Sequence, residues 1–364
     1  MSLLQAATVT ANPWQDVLKL LNQGDFYAAE NAIDELVRHQ GESQQSHHMR
    51  AILYQKRGDR RQAIRELELS IHQFGEDLTT LQSLGSLLIE DGDRRRGMQY
   101  LKRARDLTPR NRRLARAIDR MERENSAQKS YRTEQSGRFL ITFENTWEQP
   151  QIKDRLARRL EQALSELERK LWSHEGQSIP VVLYPTRRVY RDVLDAPAWS
   201  AAAWDNKLRI PISESRQMSE AAILPLLRHE LTHYLIATRV RGRQVPAWLN
   251  EGMAQIAERR GTMTARSYFK SLGRKRKLKL FSLEQLQSSF SRFYSPAMAR
   301  LAYAQALMTT TYLKDKYGSN ADVKIIEEIA AGKSARLALE KVTGVSYGDF
   351  GEDFPRWLLS ELGP

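Results

Sequence analysis

Apolar residues recur at helical spacing over most of the chain and alternate at strand spacing only in a middle stretch. In the first third the helical pattern itself repeats. Gly24, Gly58 and Gly92 stand 34 residues apart, and each is followed by Asp. Five positions after each glycine comes a small residue (Ala29, Ala63, Gly97), and nine after comes an apolar one (Ile33, Leu67, Leu101). Seven before stand Val17, Ala51 and Gly85, and Pro109 closes the third unit. A helical hairpin with Gly-Asp at its turn accounts for each unit. Small residues at fixed offsets let its helices and the next hairpin approach closely. The Arg-rich stretch up to Arg123 then supplies a last helix with a polar outer face.

From Glu124 to Gly137 there is no apolar period, and the segment reads as a linker. Beyond it Arg138 to Glu144 alternates like a strand, and Ile152, Leu156, Leu160, Leu164, Leu167 and Leu171 mark a helix. Ile179 to Pro185 is a second strand. Near Trp204 the pair Asp205-Asn206 predicts a turn into a short strand, Lys207 to Ile212, a candidate sheet edge for holding an extended substrate. From Ser219 the chain is mainly helical. Strands first and helices after predict an α+β domain. The expected organisation is multidomain: all-α helical repeats over 12–123, a linker over 124–137 and an α+β domain over 138–361.

Charge changes this picture little. The 364 residues carry a formal net charge of +13. Residues 93–123 hold 12 Lys/Arg against 4 Asp/Glu, and a second basic cluster spans Gly273 to Leu280. Such patches draw acidic proteins, anionic lipid or nucleic acid. No aromatic residues interleave with the Arg-rich run as a base-stacking platform requires, so nucleic acid is not the expected partner. Arg94, Arg95, Arg96, Lys102, Arg103 and Arg105 point instead to an acidic protein. With no cysteine, disulfides, thiolate metal sites and cysteine nucleophiles are excluded. No apolar run is long enough for a membrane span. The start, MSLLQAATVTANPW, lacks the basic leader and apolar core of a signal peptide, and the compartment stays open between cytoplasm and periplasm.

Candidate chemistry lies in the helical second half. His229-Glu230-Leu231-Thr232-His233 puts two imidazoles four residues apart, on one face of a helix, where both can reach one metal ion. Ile223, Leu227, Leu231, Tyr234 and Leu235 form a separate apolar stripe. Glu230 is turned away from the two ring nitrogens and can face a water beside the ion. A catalytic zinc normally takes a third protein ligand. The stretch Pro246 to Gly261 offers Glu251 near the start of a second helix, with Pro246 at its first position and Gly261 as its stop. The competing reading is two ordinary helices with polar residues on them. His39, His47, His48 and His72 fall among the repeats and read as surface or groove residues, and His174 follows a helix end. Trp248 reads as a core anchor.

The 34-residue unit resembles the tetratricopeptide repeat. His229 to His233 followed by the WLNEG of residues 248–252 resembles the gluzincin metallopeptidases, and residues 138–361 resemble the peptidase MA-like domain, often found beside tetratricopeptide repeats in bacteria. The resemblance implies a zincin-like fold, one Zn2+ held by His229, His233 and Glu251, and Glu230 as general base for peptide hydrolysis. WLNEG also occurs in aminopeptidase N-type enzymes, but their GxMEN motif is absent here, which favours an endopeptidase. The resemblance also places a tyrosine near the metal. Tyr303, on a helix from Ser295-Pro296 to Tyr317-Gly318, is the candidate transition-state donor, against packing between helices; Tyr294, Tyr312 and Tyr317 are weaker candidates. The expected partners are a peptide or protein substrate and a protein held in the groove of the repeats. The alternative function is a metallopeptidase-fold scaffold without turnover, acting as an interaction adaptor.

Overall fold

The computed structural model describes residues 13–23, 25–127, 129–144, 150–174, 176, 178–194, 203–204, 207–211, 220–241, 243–259, 261–274, 279–288, 290 and 295–362. Gly24, the Asp205-Asn206 turn, Tyr294 and residues 275–278 of the basic cluster lie outside them. The chain divides into two units, Met1–Glu122 and Arg123–Pro364. Among the described residues no helix is long and apolar enough to cross a membrane.

The first unit is helical. α1 (Pro13–Gln23), α2 (Phe26–Gln40), α3 (Gln44–Arg57), α4 (Arg60–Phe74), α5 (Leu78–Glu90) and α6 (Arg94–Leu107) pack as successive hairpins. α7 (Arg112–Ala127) follows. The Gly-Asp turns work as their chemistry requires. Gly58 and Gly92 take left-handed φ of 86° and 96°, and Asp59 and Asp93 cap the helices that follow. A second pair, Gly41 and Gly75, ends α2 and α4 with the same 34-residue spacing. Gly85 and Gly97 face each other so closely that a Cβ on Gly97 would lie 2.6 Å from the Gly85 carbonyl oxygen.

Most of the basic residues that suggested an acidic partner already have one inside this unit. Arg96 pairs with Glu68, Lys102 with Glu122, Arg103 with Glu76 and Arg105 with Asp106. His47 corrects another expectation. It is buried, with Nδ1 2.7 Å from Glu66 and Nε2 3.2 Å from the Gln73 side-chain oxygen. Its place on the inner face of α3 came from packing against α4, which helix periodicity alone did not show.

The second unit opens with a sheet. β1 (Tyr131–Ser136), β2 (Phe139–Glu144), β3 (Ile179–Tyr184), β4 (Ala203–Trp204) and β5 (Leu208–Pro211) lie in the order β1-β2-β3-β5-β4. β2, β3 and β5 run parallel; β1 and β4 are antiparallel edges. Two expectations change here. The polar segment read as a linker contains β1, paired with β2 from Tyr131↔Glu144 to Ser136↔Phe139. As an edge strand it buries none of its side chains fully, so it carries no apolar alternation; Thr133 bonds Thr142 at 2.9 Å and Arg132 stacks over Phe143. The substrate-edge candidate, β5, is not an edge: β3 covers one side and β4 the other.

One face of the sheet packs Ile141, Leu183, Leu208 and Ile210 against α8 (Pro150–Glu168) and α10 (Glu220–Val240). The other buries Val182 and Tyr184 with Tyr190 of α9 (Arg187–Leu194). On that face the last turn of α7 delivers Glu124 to a buried pair with Arg209. The Arg209 Nε donates to its Oε1 at 3.0 Å, and the Tyr184 hydroxyl donates to the same oxygen at 3.2 Å. The remaining helices are α11 (Ala247–Ala257), α12 (Thr262–Arg274), α13 (Pro296–Tyr317), α14 (Ala321–Ala330), α15 (Ala335–Thr343) and α16 (Tyr347–Leu362). They share a core around Trp248, Phe269, Tyr312, Phe350 and Phe354. α13 begins at a Ser295 cap and stops at Gly318, as its sequence signals predict. Trp248 anchors this core, its ring nitrogen donating to the Tyr347 hydroxyl at 3.2 Å.

Candidate metal centre

α10 carries both histidines. Its apolar stripe, Ile223, Leu227, Leu231, Tyr234 and Leu235, is buried against the sheet and α8, which turns His229 and His233 toward α11. Pro225 sits inside α10, more than a turn ahead of His229, and the helix continues through it. Pro246 starts α11 as its cap, with backbone held by Leu286 and Gln287, whose carbonyls accept from Trp248 and Ala247. α11 ends at Ala257, not at Gly261. The chain turns at Arg259, with φ 61°, where Arg259 pairs with Glu166 on α8. Glu166 is also held by Arg228, the neighbour of His229.

These elements bring three donors together. His229 Nε2 and His233 Nε2 are 3.1 Å apart, and Glu251 Oε2 lies 3.6 Å from the first and 3.8 Å from the second. A point equidistant from all three is about 2.0 Å from each, the length of a zinc–imidazole or zinc–carboxylate bond. Glu251 Oε2 is buried without a hydrogen-bond donor, a carboxylate oxygen that a cation would satisfy. Among the described residues this is the group of histidine and carboxylate side chains able to hold a metal ion.

The far side of each ring is held as well. His229 Nδ1 lies 2.7 Å from Glu258 Oε1, and His233 Nδ1 lies 3.0 Å from Asn250 Oδ1. When the rings are neutral, a proton on Nδ1, beside Asn250 on His233 and facing the Glu258 carboxylate on His229, leaves each Nε2 as a lone-pair donor facing inward. Neither Asn250 nor Glu258 stood out as a functional residue in the sequence. The signal was available in spacing: Asn250 precedes Glu251, and Glu258, which caps the end of α11, stands seven residues beyond it.

The electrostatics are those of a buried, acidic pocket. Burial disfavours the His229 imidazolium, but the bond to Glu258 and the charges of Glu230 and Glu251 outweigh it and take His229 up to about 9 in the metal-free protein. Glu230 is 4 % exposed, and burial raises its carboxyl above the ordinary range against the opposing pull of His229 and His233. Tyr303 of α13 is half-buried, its ring edge-on to Phe290. Burial pushes its phenol up, and the charges of Glu251 and Glu230 push it further. Tyr312 and Tyr317 instead pack around Phe350 in the helical core. His174 bonds the Tyr234 hydroxyl at 2.9 Å and contributes no donor to the cluster.

Two imidazoles and a carboxylate converging from neighbouring helices, with a further carboxylate beside them, define a His-His-Glu centre on a small-sheet α+β domain. The model of the Peptidase MA superfamily matches residues 177–360, just over half of the chain, and the chain belongs to that superfamily. No curated protein and no solved structure matches it.

Proposed function

We propose that the chain is a zinc-dependent peptidase that hydrolyses internal peptide bonds, with its N-terminal hairpins, read as tetratricopeptide-like, recruiting a protein substrate or partner. The observation that carries this reading is the convergence of His229, His233 and Glu251, close enough to share one ion, with a buried Glu251 oxygen that accepts no hydrogen bond. The 34-residue spacing of Gly58 and Gly92, with Asp59 and Asp93 as caps, supports the tetratricopeptide reading.

His229, His233 and Glu251 would hold the ion. Zinc, when bound, supplies a Lewis acid that polarises the scissile carbonyl and acidifies water. Glu230 takes the proton of the attacking water and passes it to the leaving amine. It is buried beside both imidazoles, where burial raises its carboxyl in the metal-free protein. Tyr303 donates its hydroxyl to the developing oxyanion; a phenol pushed well above its ordinary value stays protonated as a donor. Glu258 and Asn250 keep both imidazoles in the required tautomer. The GxMEN motif that would hold a free amino terminus is absent, which supports cleavage within chains.

The test is proteolysis of an unbiased peptide mixture by the zinc-loaded protein and by Glu230→Gln. The parent is expected to cleave, and Glu230→Gln to keep its zinc while losing at least about 100-fold in rate. A Glu230→Gln protein that cleaves as well as the parent, or a parent that binds zinc and cleaves nothing, removes the peptidase reading and leaves the adaptor.

A further inference from the structure

The helix bearing Glu251 and the helix bearing Tyr303 cross in a register marked by three contacts. The Thr310 hydroxyl lies 3.5 Å from the Trp248 carbonyl. Gly252 faces the Ala306 carbonyl so closely that a Cβ would lie 2.6 Å from that oxygen. Gln255 donates its Nε2 to the Tyr303 carbonyl at 2.9 Å. As α11 advances through 248, 252 and 255, α13 descends through 310, 306 and 303. The first two contacts set how near the helices come. The third is a shorter bond from a buried amide, one turn along α11 from Glu251.

Gln255 is 2 % exposed. A buried amide is costly unless its hydrogens are bonded, and leucine would fill this place without that cost. Both hydrogens of the amide have acceptors here: the Tyr303 carbonyl, and the Glu251 carbonyl at 3.3 Å. One side chain therefore joins the main chain of the metal-facing glutamate to the main chain of Tyr303. The Tyr303 phenol in turn feels the charges of Glu251 and Glu230. The bond from Gln255 holds the main chain at residue 303 of α13 against α11, one turn along from Glu251.

We propose that Gln255 is a positioning residue that aims the Tyr303 hydroxyl at the Glu230 and Glu251 site. Its effect on rate rests on the peptidase reading above; its effect on Tyr303 does not. Gln255 acts through the main chain and touches no reacting atom.

Gln255→Leu and Gln255→Met each remove the donor while keeping most of the bulk. In the zinc-loaded full chain, acting on a peptide the parent cleaves, either is expected to lower kcat about tenfold with KM and zinc content unchanged. In a Tyr303→Phe background the same substitution is expected to cost nothing further, because the group it aims is gone. A second arm needs no turnover: 3-fluorotyrosine placed at residue 303 is expected to give a 19F resonance that shifts or broadens in folded, metal-free Gln255→Met. Equal rate losses in both backgrounds, loss of zinc from the Gln255 variants, or an unmoved 19F resonance overturns the proposal. A parent that cleaves no peptide, with a 19F resonance that still moves, overturns the peptidase reading and upholds the positioning role.

Discussion

Glu258 Oε1 lies 2.7 Å from His229 Nδ1, on the side of the ring away from the nitrogen that faces Glu251. The glutamate comes from the C-terminal end of α11 and the histidine from the middle of α10, so one contact ties the end of one helix to the metal-facing side chain of another. Glu258→Gln is expected to weaken zinc binding about 10- to 100-fold, because the ring loses the carboxylate that fixes its tautomer and raises its basicity. Competition against a chelating dye measures this. Glu251→Ala, which removes a ligand outright, is expected to lose more.

The same contact sets a pH dependence. In the metal-free protein His229 is raised from its ordinary 6.5 to about 9. A group raised in the folded state stabilises it fully below pH 6.5, and the contribution is lost as pH rises through 9. The Tm of the metal-free protein is therefore expected to fall across that interval. Zinc affinity is expected to rise across it, roughly tenfold per pH unit, because the imidazole must shed its proton to bind. Parallel melting and dye-competition series check the two opposite slopes.

Gly252 follows the candidate ligand because two helices touch there. A Cβ would meet the Thr310 side chain and come within 2.6 Å of the Ala306 carbonyl oxygen, which belongs to backbone and cannot rotate away. Gly252→Ala is expected to destabilise the second unit by about 1–3 kcal/mol through overpacking, read from the urea midpoint at unchanged m-value. Zinc affinity falls with it if α11 is pushed off α13.

Glu124 and Arg209 are 3 % and 4 % exposed, and each is the other's counter-charge. Glu124→Ala removes the carboxylate that Arg209 and Tyr184 share and is expected to destabilise the second unit by about 3–5 kcal/mol. Glu124→Leu combined with Arg209→Met is expected to recover most of that loss. Chemical denaturation of the three proteins tests both statements, and it tests whether residues 123–137 contribute to the stability of the second unit.

How much could be read beforehand depended on where each signal was stored. The helices of the first unit were legible because Gly58, Gly92 and their aspartates act locally, through left-handed φ and capping. The limits of α13 were legible for the same reason, through Ser295 and Gly318, and β2, α8 and α10 because a buried face imposes a period on the residues that line it. β1 was not legible, because an edge strand with solvated side chains leaves no period. The stop of α11 was misplaced because Glu258 and Arg259 bond to His229 and Glu166, partners distant in sequence.

The sequence alone determined that His229 and His233 share a face by helical pitch, and that Glu251 stands near the start of another helix. Only the tertiary structure decided that the two meet. That depends on the burial of the α10 stripe against the sheet, on the bare backbone of Gly252 beneath α13, and on the seating of the start of α11 on the carbonyls of Leu286 and Gln287. Residue spacing fixes angles around one helix axis. The distance between two axes is a property of packing, and packing belongs to the whole chain.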